Sequence, residues 1–251
     1  MADFDSNRLY RSPTAVAGAI DAGLRKYMLR VYNYMTLALV VTGVVAYGVY
    51  TASATTDPET GRLALTQLGY ALFASPLKWV LFLAPVGMVL FISARLNRMS
   101  LAGAQVAFWV FAGLIGISMA SIFMLYTATS VAQVFFITAA AFGGLSLYGY
   151  TTKTDLSAMG SFLIMGVWGL FLVGIVNIFF HSPMVMWIMS VAGVGIFAGL
   201  TAYDTQSIKE MYYDGDSDMV AGKKAIIGAL RLYLDFINMF QFLLYLMGGR
   251  R

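Results

Sequence analysis

The chain has 251 residues, of which 60% are hydrophobic and only 11% are charged, and its formal net charge is +4. An ordinary soluble domain carries about 25% charged residues, so this composition excludes an ordinary soluble protein. The sparse basic residues form no run with interleaved aromatic side chains, which argues against a nucleic-acid partner. Since the chain has no cysteine, disulfides, thiol nucleophiles and cysteine-ligated metals are also excluded.

Apolar runs follow one another along the chain after a polar start at residues 1–25, in which Ala15 to Leu24 can form a short surface helix. Each run is close to the roughly 20 residues needed to cross a bilayer. One long connection, 51–77, is apolar enough in its second half to lie on the membrane surface. We therefore predict an all-α membrane protein in which residues 26–251 form one bundle of seven transmembrane helices, at about 28–50, 78–97, 103–125, 129–150, 159–180, 184–204 and 225–247.

The distribution of Lys and Arg predicts a cytoplasmic N-terminus, because cytoplasmic loops carry the excess of positive charge. The outer loops then receive only Arg62 and Lys78. Seven crossings place Arg250 and Arg251 outside, against this rule. Either that tail is tolerated there or the last segment does not cross fully, and we favour seven crossings. The inner side receives Arg8, Arg11, Arg25, Lys26, Arg30, Arg95, Arg98, Lys153, Lys209, Lys223 and Lys224.

Two of the twelve acidic residues, Asp204 and Asp235, fall in or at the end of apolar runs, whereas the others lie in tails or loops. A charged side chain in the bilayer core costs at least about 2.5–3.5 kcal/mol, so such residues usually face a cavity or a partner. If the two carboxyls are in contact, they titrate as a pair. Such a pair would make a pH sensor or a contact site for a hard cation, which prefers oxygen ligands.

Each carboxylate also has a simpler interpretation. Asp204 can lie at the wetted end of its helix, where it merely begins the following loop. Asp235 follows Arg231 by four residues, and a pair at this spacing can neutralise itself within one helix.

Three further polar residues stand out near or inside the apolar runs. Arg95 and Arg98 close the second span, either as membrane anchors or with one of them as the counter-ion of a carboxylate. Asn177 lies in an apolar helix, where an interhelical hydrogen bond is favoured over a pore-lining role.

The residues do not indicate an enzyme. His181 is the only histidine, and it belongs to no HExxH motif. Neither Ser146 nor Ser182 lies in a GxSxG elbow. We expect no catalytic site and no cofactor.

The segment "AYDTQSIKEMYY", followed about thirty residues on by "LYLDFINMFQFLL", resembles the signature of the Bax inhibitor-1 family, the transmembrane Bax inhibitor motif proteins. Further similarity lies in "GLIGISMASIF", "TTKTDLSAMGSF" and "GIVNIFF", so it covers roughly residues 28–247. The resemblance implies a seven-helix bundle whose last helix is central. It also indicates a bacterial, multi-pass protein of the inner membrane.

The resemblance implies a pH-sensitive calcium leak, with calcium as the transported ion. By the same resemblance, Asp204 and Asp235 form the proton-sensing pair. An arginine at the end of the second helix, the latch, pairs with Asp204 in the closed state. Arg95 is our choice for this latch, with Arg98 as the alternative. Arg231 departs from the family pattern, which usually has a small or neutral residue there, and an added cation would repel calcium.

A second hypothesis is a membrane interaction protein that regulates a membrane protease or another membrane complex, as some bacterial relatives are expected to do. The N-terminal 25 residues would be its natural contact. In either case we expect contact with the lipid bilayer and a monomer, with an oligomer left open. Proton-coupled transport of a solute is less favoured, because no paired broken helices mark a substrate site.

Overall fold

The computed structural model describes residues 13–56 and 63–250, and within them the chain forms seven helices long and apolar enough to cross a membrane. The prediction of an all-α membrane protein with seven spanning helices is confirmed. The helices are α1 (Pro13–Ser53), α2 (Leu77–Arg95), α3 (Leu101–Met119), α4 (Ala128–Thr151), α5 (Ser157–Phe180), α6 (Pro183–Glu210) and α7 (Asp218–Met247).

The polar start of the chain leads directly into α1. The helix begins at Pro13 and runs without a break past residue 25, so the expected short surface helix and the first span are one continuous helix. The first half of the expected polar tail, residues 1–12, lies outside the described residues.

The long connection between α1 and α2 folds back on the end of α1. Two short strands, β1 (Ala54–Thr56) and β2 (Leu63–Leu65), pair antiparallel. Thr66 then donates its backbone N–H to the carbonyl of Ser53, at 3.0 Å. Helical turns over Gln67–Gly69 and Tyr70–Ala74 lead into α2.

The last helix, α7, has the largest share of buried residues of the seven. It packs chiefly against α1, α3, α4 and α6, whereas α2 packs chiefly against α3 and α5 against α6. Tyr233 on α7 is fully buried against the rings of Phe108 and Phe111. Its hydroxyl lies 2.6 Å from that of Thr42, which donates to the carbonyl of Ala112 at 3.0 Å. This contact ties α7 to both α1 and α3.

The C-terminal end of α7 is held at the connection between α3 and α4. Gly249 donates its N–H to Ser130 Oγ at 2.7 Å, and its carbonyl accepts from the N–H of Thr127 at 3.1 Å. The backbone of Arg250 forms an isolated antiparallel β-bridge with that of Tyr126. Since the α3–α4 connection lies three crossings from the start of α1, these contacts favour seven full crossings over a last segment that stops partway.

Candidate functional site

The helices α6 and α7 carry the two carboxylates, and both begin at a serine cap. Ser182 Oγ accepts from the N–H of Val185 at 3.4 Å, and Ser217 Oγ accepts from that of Val220, also at 3.4 Å. Once started, α6 continues to Glu210, well past Asp204. Asp204 therefore lies within the helix rather than at its wetted end.

Small residues let the neighbouring helices approach α6 on both sides of Asp204. Gly149 of α4 lies against the backbone of Ala202, and Gly160 of α5 lies against the ring of Tyr203. A Cβ atom at either glycine would overlap these atoms. The close approach shields the surroundings of Asp204 on the α4 and α5 sides.

The structure brings Asp204 and Asp235 together. Only 14% of the Asp204 side chain is exposed, Asp235 is 4% exposed, and the two carboxyls lie within hydrogen-bonding reach of each other. Two ionised carboxylates only accept hydrogen bonds, so a bond between them requires one to carry a proton. Asp235 Oδ2 is buried without a hydrogen-bond partner among the described residues. The pair thus has an unused acceptor that a proton or a cation can satisfy.

Among the described residues, Arg231 is the cation that forms an ion pair with this carboxyl pair. Its Nη1 lies 3.9 Å from Asp204 Oδ1, a distance that allows charge attraction but is too long for a hydrogen bond. Arg231 and Asp235 share α7, yet the carboxylate that falls within 4 Å of the guanidinium belongs to Asp204. An isolated Arg231–Asp235 pair within one helix is therefore not the arrangement in the structure.

The carboxyl pair and Arg231 line a cavity of about 580 Å³ between α5, α6 and α7. Asn238 adds an amide to its wall and donates to the carbonyl of Leu234 at 2.8 Å. Most of the remaining wall is apolar and aromatic, including Trp168, Phe171, Phe197 and Phe242. The cavity therefore concentrates its charge at one polar strip of α6 and α7.

Asn238 was not predicted from the sequence, although a signal for it exists. Arg231, Asp235 and Asn238 are spaced four and three residues apart, which places them on one face of a helix. A search for polar residues at helical spacing would have identified this face.

A chain of hydroxyls next to Asp204 connects three helices. Tyr32 of α1 lies 2.5 Å from Ser146 Oγ of α4, which lies 2.9 Å from Thr205 Oγ1 of α6. Thr205 in turn donates to the carbonyl of Thr201 at 2.7 Å. This chain fixes α1 and α4 to the part of α6 that carries Asp204.

The connection between α4 and α5 is fixed to α6 by Gln206. Its Oε1 accepts from the N–H of Leu156 at 2.8 Å, and its Nε2 donates to the carbonyl of Thr154 at 2.9 Å. In the same connection, hydrogen bonds from Ser157 lower the pKa of the exposed Asp155 carboxyl. The Asp155 carboxyl therefore stays ionised to a lower pH than an aspartate with an ordinary pKa.

The two latch candidates form no ion pair with either carboxylate. Arg95 is the last residue of α2, Arg98 ends the 3₁₀ turn that follows, and both are exposed. Neither forms an ion pair with a described residue.

The remaining predicted polar residues lie at the α5–α6 connection. Asn177 is half-buried, and its Oδ1 accepts from the N–H of Ser182 at 3.0 Å. It thus holds the connection rather than a neighbouring helix at mid-membrane. His181 ends α5 in a left-handed conformation with φ of 49°.

The donor set at the pair is small for a resident metal ion. Among the described residues, no group of three or more His, Cys, Asp or Glu side chains could hold one. Calcium takes six to eight oxygen ligands, and the two carboxyls with the Asn238 amide offer fewer.

Seven helices long and apolar enough to span a membrane, two of which carry the buried carboxyl pair, define a polytopic α-helical membrane protein. The family model described as "Inhibitor of apoptosis-promoting Bax1" matches residues 24–251. The chain belongs to the Bax inhibitor-1 family.

Three relatives illustrate the extent of this similarity. An uncharacterized protein of Caulobacter vibrioides is 46% identical over 93% of this chain and 92% of its own length. An uncharacterized protein of Rickettsia prowazekii is 43% identical over 92% of each chain. The inner membrane protein YbhL of Escherichia coli is 40% identical over 92% of this chain and 94% of its own length.

Proposed function

We propose that this protein is a passive, pH-sensitive leak pathway for calcium, gated by Asp204 and Asp235. The observation that carries the proposal is the contact between two carboxyls on adjacent spanning helices, open to a cavity that also holds an arginine. Membrane-embedded ionisable groups usually mark ion or proton pathways.

The pair supplies a physical reason for pH sensitivity. With one proton shared, a hydrogen bond joins α6 to α7 through the two carboxyls. With both groups ionised, the like charges repel each other and compete for the positive charge of Arg231. A change in protonation thus changes the force between the two helices, and with it the width of the cavity.

The arginine latch belongs to the same proposal. Arg95, or alternatively Arg98, would pair with Asp204 in the closed state. Neither arginine forms an ion pair with a described residue, so either would have to change position to pair with Asp204. In the arrangement described here, Arg231 is the cation beside Asp204.

We also propose a location in the bacterial inner membrane with a cytoplasmic N-terminus. The name of the Escherichia coli relative supports the membrane, and the excess of Lys and Arg on one side of the helices supports the orientation. The carboxyl pair then lies in α6 and α7 between the cytoplasm and the outer side.

The proposal is tested by calcium flux into liposomes that contain the purified protein, measured from about pH 5 to pH 8. Wild type should show flux that changes with pH. Asp204→Asn and Asp235→Asn should each flatten that response, because an amide cannot take up the proton.

Asp218→Asn is the matched control, since Asp218 lies on the same helix as Asp235 but is exposed in its first turn. It should keep the wild-type curve. Wild type that passes no calcium at any pH, or Asp→Asn variants with an unchanged curve, would contradict the proposal.

A further inference from the structure

A long apolar groove lies between α1 and α4, on a side of the molecule different from the carboxyl cavity. It consists of two cavities of about 680 Å³ and 560 Å³, which share the residues Thr36, Leu39, Phe135 and Phe236 and are therefore continuous. Phe236 belongs to α7, which forms the floor of the groove. Because Phe236 follows Asp235 in sequence, the groove and the carboxyl pair lie on different faces of one helix.

The groove is as long as a bilayer is thick. On α1, its lining extends from Arg25 to Ala46. This stretch rises about 32 Å along a helix at about 1.5 Å per residue, close to the roughly 30 Å of the hydrocarbon core. In a membrane the groove can therefore hold extended acyl chain over its length.

The charge of the groove is concentrated at one end. Arg25 is the one lining residue of the groove that is charged at neutral pH, and it is exposed and forms no ion pair with a described residue. The same cavity is lined by Tyr150 near the end of α4, and the centroid of its ring lies 5.3 Å from Nζ of Lys209. This mouth thus carries positive charge, while the opposite end is apolar.

We propose that the α1–α4 groove binds an anionic phospholipid, with the phosphate at Arg25 and an acyl chain along Leu39, Phe135 and Phe236. Guanidinium groups bind phosphate through charge-assisted hydrogen bonds, and basic pockets between spanning helices bind anionic headgroups. The site does not depend on calcium conduction, since it uses neither Asp204 nor Asp235.

Two glycines allow a sharp test. A Cβ atom at Gly143, which lines the groove, would meet no atom within 4 Å, and the same holds for Gly169 on α5, which does not line it. Gly143→Leu should therefore fill the groove without displacing protein atoms. Gly169→Leu is the matched control, because it adds the same side chain to open space elsewhere.

The experiment measures lipid bound to the purified, delipidated full chain by native mass spectrometry, after addition of either phosphatidylglycerol or phosphatidylcholine. Wild type and Gly169→Leu should retain phosphatidylglycerol in preference to phosphatidylcholine. Gly143→Leu should lower the retained phosphatidylglycerol at least fivefold. Arg25→Gln should lower the preference for phosphatidylglycerol by about fivefold, the effect of one basic residue near a lipid surface, and Arg25→Lys should largely keep it.

Two results would overturn the proposal. One is equal retention of the two lipids by wild type, which would indicate only the general lipid layer around a membrane protein. The other is wild-type retention of phosphatidylglycerol by a folded Gly143→Leu variant. Neither result bears on the pH dependence of calcium flux, so failure here and failure of the proposed leak are distinguishable.

Discussion

Arg231 places a fixed positive charge in the wall of the cavity that holds the carboxyl pair. Its side chain is 44% exposed, and its Nη1 lies 3.9 Å from Asp204 Oδ1. Any cation that approaches the carboxyl pair through this cavity meets the negative charge of the carboxylates and the positive charge of Arg231. A divalent ion is attracted by the carboxylates and repelled by Arg231, so this residue should limit calcium entry.

Replacement of Arg231 by glutamine should therefore increase calcium flux. One unit charge at about 4 Å is worth about 1 kcal/mol in water, and more in a less polar medium, which corresponds to an increase of about fivefold or more. The measurement is calcium flux into liposomes at the pH of lowest wild-type flux. Arg30→Gln on α1, outside the cavity, should leave the flux unchanged, and an Arg231→Gln flux at or below wild type would contradict this role.

At the residue scale, the sequence allowed the carboxylates to be identified but not their partner. Asp204 and Asp235 stand out because charge in an apolar run is costly. Which carboxylate lies beside Arg231 depends on the rotation of α6 relative to α7. The four-residue spacing within α7 indicated Asp235 as the partner of Arg231. The 3.9 Å approach to Asp204 is a tertiary contact, so residue spacing could not predict it.

Among the contacts between helices, α4 approaches the backbone of α6 closely at Gly149. Gly149 of α4 lies directly against the backbone of Ala202 on α6, whereas a Cβ atom at Gly144 on the same helix would meet nothing within 4 Å. The backbone of Ala202 cannot move aside as a flexible side chain can. This contact should therefore be sensitive to a single methyl group.

Gly149→Ala should destabilise the protein by about 1–3 kcal/mol, the usual cost of overpacking. Thermal unfolding in detergent should show a Tm lower by several degrees, at about 2–4 °C per kcal/mol for a chain of this size. Gly144→Ala should unfold at the wild-type temperature or slightly above it, since alanine favours helix. Equal Tm values for the two variants would show that α4 and α6 are not closely packed there.

At the element scale, the seven spans were predictable because each is a long apolar run. The ends of the last two helices were less predictable, since α6 extends to Glu210 and α7 begins at Asp218, beyond the predicted bounds of 204 and 225. The extension of α6 packs against α7, since Ile208 lies against Gly228, and such a tertiary contact carries no apolar signal in the sequence. The hairpin of β1 and β2 also escaped prediction, because three-residue strands carry almost no periodic signal.

For the whole molecule, the absence of cysteine makes the topology directly measurable. Thr154→Cys in the α4–α5 connection should react only with a reagent that reaches the cytoplasm. Thr56→Cys in β1 and Arg250→Cys beside Tyr126 should react from the outer side, because both lie at the opposite end of the bundle. Labelling of intact cells and labelling of inverted vesicles should give opposite patterns. If the cysteine of Arg250→Cys is labelled from the cytoplasmic side, seven crossings with a cytoplasmic N-terminus are ruled out.

The central claim is that Asp204 and Asp235 act as one proton-sensing unit, and a double-mutant cycle on calcium flux tests it most directly. The pH response is measured in liposomes for wild type, Asp204→Asn, Asp235→Asn and the double variant. If the carboxyls share a proton, either single substitution removes the unit, and the double variant should give the same flattened curve as each single one. Independent, additive changes in the pH response would show that the two carboxyls titrate separately and would contradict the claim.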